Sequence, residues 1–216
     1  MITLAIFDLD GTLINSITDL ADATNYALRE CGFPEHPVEK YNYFVGDGLN
    51  NLILRAIPEC HHNDKTITKI KCLFSEYYNE HYSDKTYIYD GIIPLLNSLR
   101  EKGVKLAVAS NKPDKFTKEI IKNLFGTEIF DFVQGNKEGI PHKPDSRIIK
   151  EVMSFLNVSD KETVMIGDTN VDIKTGKNVG IRTIGCLWGF RDESELKEAG
   201  ADYIVATPDE IFDILI

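Results

Sequence analysis

Three places in this chain put short polar side chains directly after apolar runs that read as buried strands. Ile2 to Phe7 runs into Asp8, Asp10 and Thr12, and Val104 to Ala109 runs into Ser110 and Asn111. Thr163 to Ile166 runs into Asp168 and, one helical turn further on, Asp172. In an open parallel sheet, ligands gather beyond the carboxyl ends of the strands. If these strands are neighbours, all three clusters face one crevice and at least three acids lie close together in it. Like charges crowded into a crevice are costly. A hard divalent cation with oxygen ligands relieves that cost, and carboxylates suit magnesium. A single aspartate after a strand more often just caps the next helix. Acids at two strand ends with Ser-Asn at a third favour a metal-assisted site.

The rest of the chain supplies the elements that must hold these residues. Apolar residues Ile17, Leu20, Ala21, Ala27 and Leu28 recur at helical spacing between Asn15 and Cys31, with Asn15 and Ser16 available as caps and Gly32 as the stop. From Pro37 to Tyr82 the pattern predicts helices over 38–44, 49–57 and 67–82 and no convincing strand, with Gly46-Asp47-Gly48 as a turn. After Asp90-Gly91 helices and strands alternate. Helices are expected over 92–101, 114–124, 146–156, 171–178 and 193–199 and after Pro208, and strands over 104–109, 130–133, 163–166, 181–185 and 203–205. Alternation of this kind implies right-handed βαβ units and a parallel sheet covered on both faces. The all-helical block between the first unit and the rest reads as a second, smaller domain.

Composition narrows the class. The 216 residues suffice for a full core, and the formal net charge of −10 argues against non-specific nucleic-acid binding. The same charge would repel an anionic substrate unless a local cation or metal intervened. Cys31, Cys60, Cys72 and Cys186 are scattered without CxxC spacing and are expected to be buried small hydrophobes in a reduced, cytoplasmic protein. Asp8 and Asp10 interrupt the apolar start too early for a signal peptide, and no apolar run approaches a membrane span.

The motifs carry a resemblance. Phe7-Asp8-Leu9-Asp10-Gly11-Thr12-Leu13 resembles the DxDGT signature of the haloacid dehalogenase superfamily. Ser110-Asn111, Lys143-Pro144 and Gly167-Asp168-Thr169-Asn170-Val171-Asp172 are similar to its second, third and fourth motifs, in the same order. Tyr89-Asp90-Gly91, Ala107 to Pro113, and Leu187-Trp188-Gly189-Phe190-Arg191 with Ala199 to Asp202 are most similar to its phosphoglycolate phosphatase-like members. Two departures are Asn15, where an aspartate is common, and the absence of a second proline near Lys143-Pro144-Asp145-Ser146.

The resemblance implies a Rossmann-like α/β core over residues 1–14 and 86–216, with an inserted α-helical cap over 15–85. It implies a phosphatase in which Asp8 attacks phosphorus and Asp10 acts as acid and then base. Gly11 would allow a tight turn whose amides face phosphate, while Thr12, Ser110, Asn111 and Lys143 bind phosphate or orient the reactants. Magnesium would take the Asp8 carboxylate, the Asp10 backbone carbonyl, Asp168 and waters. Asp172 would stand behind these ligands, reaching the ion or holding its water or Lys143. The expected partner is a small phosphorylated substrate, with no nucleic acid or membrane, and the protein a monomer or homodimer. Alternatives are a phosphosugar mutase of the β-phosphoglucomutase type, or action on nucleotides or pyrophosphate. Dehalogenation normally lacks the second aspartate.

Other residues are weighed on their own. Phe44 to Leu49, with Gly46, Asp47 and Gly48, looks like the substrate-facing glycine loop of the cap, or else a plain helix–helix turn. Arg55 reads either as a ligand for a substrate carboxylate or as a surface residue. Lys112 and His142 are expected at the surface, and Tyr77, Tyr78 and Tyr82 in packing. Cys60-His61-His62 has no second ligand pair to complete a zinc site.

Overall fold

The computed structural model describes every residue from Met1 to Ile216. The strands are β1 (Leu4–Phe7), β2 (Ile14–Asn15), β3 (Tyr87–Ile88), β4 (Lys105–Pro113), β5 (Phe132–Asn136), β6 (Thr163–Gly167), β7 (Arg182–Cys186) and β8 (Tyr203–Val205). The first four helices are α1 (Ile17–Glu30), α2 (Val38–Phe44), α3 (Leu49–Ala56) and α4 (Asp64–His81). Then come α5 (Ile92–Glu101), α6 (Asp114–Phe125), α7 (Arg147–Leu156), α8 (Asn170–Val179), α9 (Glu193–Glu198) and α10 (Pro208–Leu215). The chain divides into two compact units, Met1–Ile14 with Ile88–Ile216, and Asn15–Tyr87.

The larger unit is built on a six-stranded sheet in the order β5-β4-β1-β6-β7-β8, with every pairing parallel. Successive residues of a strand face opposite sides of the sheet. All four residues of β1 are fully buried, so both faces are covered. Helix α7 covers one of them, its Ile148, Ile149, Val152 and Leu156 packing with Leu4, Ile6, Ala107, Ala109 and Met165. Strand β1 lies between β4 and β6, with Phe7 level with both Val108 and Ile166. The connections diverge on either side of β1, making it the switch point at which a doubly wound sheet opens a crevice.

The smaller unit carries α1 to α4. Ser16 makes no capping bond at α1; Asn15 Oδ1 instead accepts the Ile17 N–H at 3.2 Å. The buried Asp19 carboxylate accepts the Lys85 N–H and the Thr86 hydroxyl, the latter at 2.6 Å, tying α1 to the far end of this unit. Tyr78 is buried, while Tyr77 stacks on Tyr26 at 4.8 Å. Tyr82 is half-buried and tilted against Tyr78.

The expectation for the cysteines needs correcting. Only Cys186 is buried, at the end of β7; Cys31 is half-buried, and Cys60 and Cys72 are exposed. The two short strands β2 and β3 have no signal in the sequence, since two residues are too few to establish a period. His62, one of the pair beside Cys60, bonds through Nε2 to the carbonyl of Leu54 at 2.9 Å.

Candidate active site

Asp8 is the first residue past β1. Its N–H continues the sheet pattern to the Ile166 carbonyl at 2.9 Å, so the carboxylate is launched from a fixed backbone at the switch point. Lys143 reaches the same place from the segment between β5 and α7. Its Nζ donates to Asp8 Oδ1 at 2.8 Å and to Asp172 Oδ1 at 2.7 Å. All three side chains are buried. Burial pushes the Asp8 carboxyl up to about 7, with Lys143 pulling against that and Asp172 and Asp10 adding to it. Burial also works against the Lys143 charge, but the carboxylates of Asp172 and Asp8 outweigh it and hold the ammonium above its ordinary value.

Asp172 has a second engagement. It is the third residue of α8, and its Oδ2 accepts the Thr169 N–H at 3.1 Å and the Thr169 hydroxyl at 2.8 Å. This capping box satisfies amides at the start of the helix and leaves the other oxygen aimed at Lys143.

Asp168, wholly buried after β6, is held from two sides. Thr12 Oγ1 donates to its Oδ1 at 3.1 Å, and the Phe190 N–H donates to its Oδ2 at 2.8 Å. Burial, then Asp172 and Asp8, raise this carboxyl well above its usual range. Gly11 adopts φ +88°, and a Cβ there would sit 2.3 Å from Asp168 Oδ2. Only glycine therefore permits both the turn and the close approach. Trp188 Nε1 donates to the Thr12 carbonyl at 3.0 Å, laying the loop after β7 across the loop after β1.

Asn111 and Ser110 act on their neighbours. Asn111 Oδ1 accepts the Lys143 N–H at 2.7 Å and its amide donates to the Lys143 carbonyl at 3.1 Å, so it grips the main chain of the lysine. Ser110 Oγ accepts the Lys112 N–H at 3.2 Å. The expectation for Lys112 is overturned: the side chain is buried, and its Nζ lies 3.0 and 3.2 Å from the two oxygens of Asp10. His142 is exposed.

One carboxylate oxygen from each of Asp8, Asp168 and Asp172 falls within 4.8 Å of the others. A hard divalent cation fits this set, since every donor is an oxygen. Burial and mutual repulsion penalise the charges of Asp8 and Asp168, and a cation would offset that penalty.

The family model for haloacid dehalogenase-like hydrolases matches residues 5–186. The chain belongs to that family. It is 32% identical over 216 residues to the phosphoglycolate phosphatase of Psychrobacter arcticus, covering 97% of this chain and 91% of that protein. It is 28% identical to the phosphoglycolate phosphatase of Aquifex aeolicus, with 97% and 95% covered. A crystal structure from Lactobacillus delbrueckii subsp. bulgaricus, of a protein for which phosphoglycolate phosphatase activity is proposed, superposes with a TM-score of 0.94. That structure is 33% identical, and 99% of this chain and 98% of that one are covered.

In this haloacid dehalogenase-like hydrolase the structure gathers Asp8, Asp10, Gly11, Thr12, Ser110, Asn111, Lys143, Asp168 and Asp172 in the larger unit, at or near the carboxyl ends of β1, β4 and β6. Gly46, Asp47, Gly48 and Arg55 belong to the smaller unit. There Arg55 pairs with the Asp47 carboxylate and donates to the Phe44 carbonyl at 3.1 Å, so its guanidinium holds the end of α2 and the glycine turn together. Sequence reasoning missed Lys112 and the loop Trp188–Phe190. The usable signal for the latter was a glycine just beyond a buried strand. At Gly189 a Cβ would meet Asp168 Cβ at 2.3 Å and the Gly11 carbonyl oxygen at 2.4 Å. Gly189→Ala is therefore expected to displace Asp168 and weaken divalent-cation binding by about 10- to 100-fold, the range for disturbing a ligand's supporting contacts. Calorimetric titration with magnesium checks this; wild-type affinity would mean that the loop does not set the position of Asp168.

Proposed function

We propose that this chain is a magnesium-dependent phosphatase that hydrolyses a small phosphomonoester of the phosphoglycolate type through a phospho-aspartyl intermediate on Asp8. The observation that carries the reading is Asp8 itself: a buried carboxylate at the sheet's switch point, paired with Lys143 at 2.8 Å and followed two residues later by a second acid. The substrate class rests on the relatives named above.

Asp8 supplies an oxygen lone pair to phosphorus while the bond from phosphorus to the leaving oxygen breaks. Asp10 gives its proton to that leaving oxygen and later takes one from the water that attacks the aspartyl phosphate. The electron pair of the second broken bond returns to Asp8, and inorganic phosphate is released. Lys143 neutralises charge on the phosphoryl oxygens from a fixed position, and Asn111 holds Lys143 there by its main chain. The Ser110 hydroxyl completes the phosphate cradle; the turn at Gly11 does not supply it with amides as expected, because the Gly11 N–H donates to the Ile14 carbonyl at 2.8 Å and the Thr12 N–H to the Leu9 carbonyl at 3.3 Å. The Asp8 carboxylate, the Asp10 backbone carbonyl and Asp168 would hold magnesium, with Asp172 steadying Lys143. When bound, the ion polarises the phosphoryl group and offsets the crowded negative charge. The core over 1–14 and 86–216 carries this chemistry, and the cap over 15–85, through the turn at Gly46, Asp47 and Gly48, selects the leaving group.

The test is inorganic phosphate released from a panel of esters with magnesium present: phosphoglycolate, sugar phosphates, nucleoside monophosphates, pyrophosphate and an aryl phosphate. Fastest release from phosphoglycolate, abolished by excess chelator, is expected. Preference for a nucleotide or pyrophosphate would move the substrate class. Isomerisation of a sugar phosphate without net release would make the enzyme a mutase.

A further inference from the structure

Lys112 stands outside the four motifs, yet it is built into the site more firmly than a surface lysine would be. Strand β4 loses its regular register between Ala109 and Pro113. Irregularities of this kind re-aim a side chain relative to the plain alternation of a strand. The Lys112 main chain is fixed in the re-aimed position from both sides. Its N–H donates to Ser110 Oγ at 3.2 Å, and its carbonyl accepts the Thr117 hydroxyl at 3.2 Å. Gly135 of the neighbouring strand leaves room for that carbonyl, since a Cβ there would lie 2.5 Å from it. The side chain runs inward and places its ammonium against both oxygens of Asp10, at 3.0 and 3.2 Å.

This pair is poorly explained as a stabilising device. The Lys112 side chain is 3% exposed and that of Asp10 12%. Desolvating two such charges roughly cancels their attraction, so a buried ion pair adds little net stability. What a two-oxygen contact does provide is orientation. A carboxyl that must present one oxygen to the leaving group, and then to the attacking water, works only if its plane is held in place.

We propose that Lys112 is a positioning residue for Asp10, setting the carboxyl plane from which the proton is delivered to the leaving oxygen. This rests on the phosphoryl-transfer reading above. Lys112 keeps its own proton throughout. The proton that moves is one that Asp10 takes from solvent before the step; it passes to the leaving oxygen as the bond to phosphorus breaks, and the carboxylate left behind faces the ammonium again.

The experiment compares kcat/KM, which reports transfer to Asp8, for a primary alkyl phosphate and for 4-nitrophenyl phosphate. The nitrophenolate leaves without help from an acid, whereas the alkoxide needs the proton. In Lys112→Met, kcat/KM for the alkyl ester is expected to fall by about 100-fold, the scale of a misplaced catalytic group. For the aryl ester it should fall by only about threefold, because proton delivery adds little there. Lys112→Arg should recover part of the alkyl rate. In an Asp10→Asn background, Lys112→Met should cost nothing further on the alkyl ester. Equal losses on the two esters, in either Lys112 variant, would overturn the proposal, as would an undiminished loss in the Asp10→Asn background. If Lys112→Met fails to fold, the ratio of the two esters in Lys112→Arg and the Asp10→Asn cycle built on it give the same reading. Hydrolysis of neither ester by the unaltered chain would instead overturn the phosphatase reading, and this inference with it.

Discussion

Asp8→Asn is expected to abolish phosphate release, lowering kcat by at least about 10⁴-fold, as for removal of a covalent nucleophile. The folded chain should survive the change. Asparagine has the shape of aspartate, its main-chain N–H still pairs with the Ile166 carbonyl, and its amide oxygen still accepts from Lys143. What is lost is the anionic oxygen that bonds to phosphorus in the proposed mechanism. Asp8→Glu separates nucleophilicity from charge alone. It keeps the carboxylate but pushes it further from a backbone fixed at the end of β1, so a loss nearly as large is expected. Phosphate release with the melting temperature measured in parallel checks both variants. Activity persisting in a folded Asp8→Asn would remove the covalent intermediate from the mechanism.

Lys143→Met strikes stability and activity together. The ammonium lies 2.8 Å from Asp8 and 2.7 Å from Asp172, with its side chain 1% exposed. Removing one partner of a buried ion pair leaves uncompensated charge and costs about 3–5 kcal/mol. For a chain of this size that lowers the melting temperature by roughly 6–20 °C. Magnesium should restore part of the stability, because a cation among Asp8, Asp168 and Asp172 takes over some of the compensation. It should not restore turnover, because the charge proposed to face the phosphoryl oxygens is still missing. Thermal denaturation with and without magnesium, alongside phosphate release, decides the matter. An unchanged melting temperature would show that Lys143 is not the counterion of this cluster.

The sequence was legible where local rules act. The strand at β1, the helix bounds of α2 and α5, and the parallel alternation after Gly91 follow from period and from turn residues. They place Asp8, Ser110 and Asp168 at strand ends without any tertiary information. What could not be read depends on how distant loops meet. Lys112 follows a buried strand and precedes a proline, which reads as an exposed loop; only the irregular end of β4 turns it toward Asp10. Asn111 was expected to orient the reactants, but its side chain grips the Lys143 main chain, a contact between segments 32 residues apart. The loop at Trp188–Phe190 has no periodicity to betray that it lies over Asp168. The cysteines were misjudged because residue type alone was used. Cys60 lies in a short 3-10 turn over Glu59–His61 that buries no residue, and Cys72 lies in α4, whose buried face is supplied by others, such as Ile70 and Phe74.

The central place of β1 also governs the order of assembly. Strand β1 is made before both of its neighbours, which run from Lys105 onward on one side and from Thr163 onward on the other. Until both have been made it must wait as an unpaired apolar segment, which is the kind of species chaperones guard. The helices between Asn15 and Tyr87 draw on contacts nearer in sequence and have no such delay. Thr12 meets Asp168 across 156 positions, so the acids come together only once β6 has been made and has paired with β1. A growing chain that stops short of β6 therefore carries Asp8 but none of the site around Asp168, so the cluster of acids assembles late relative to the strand that bears its first member.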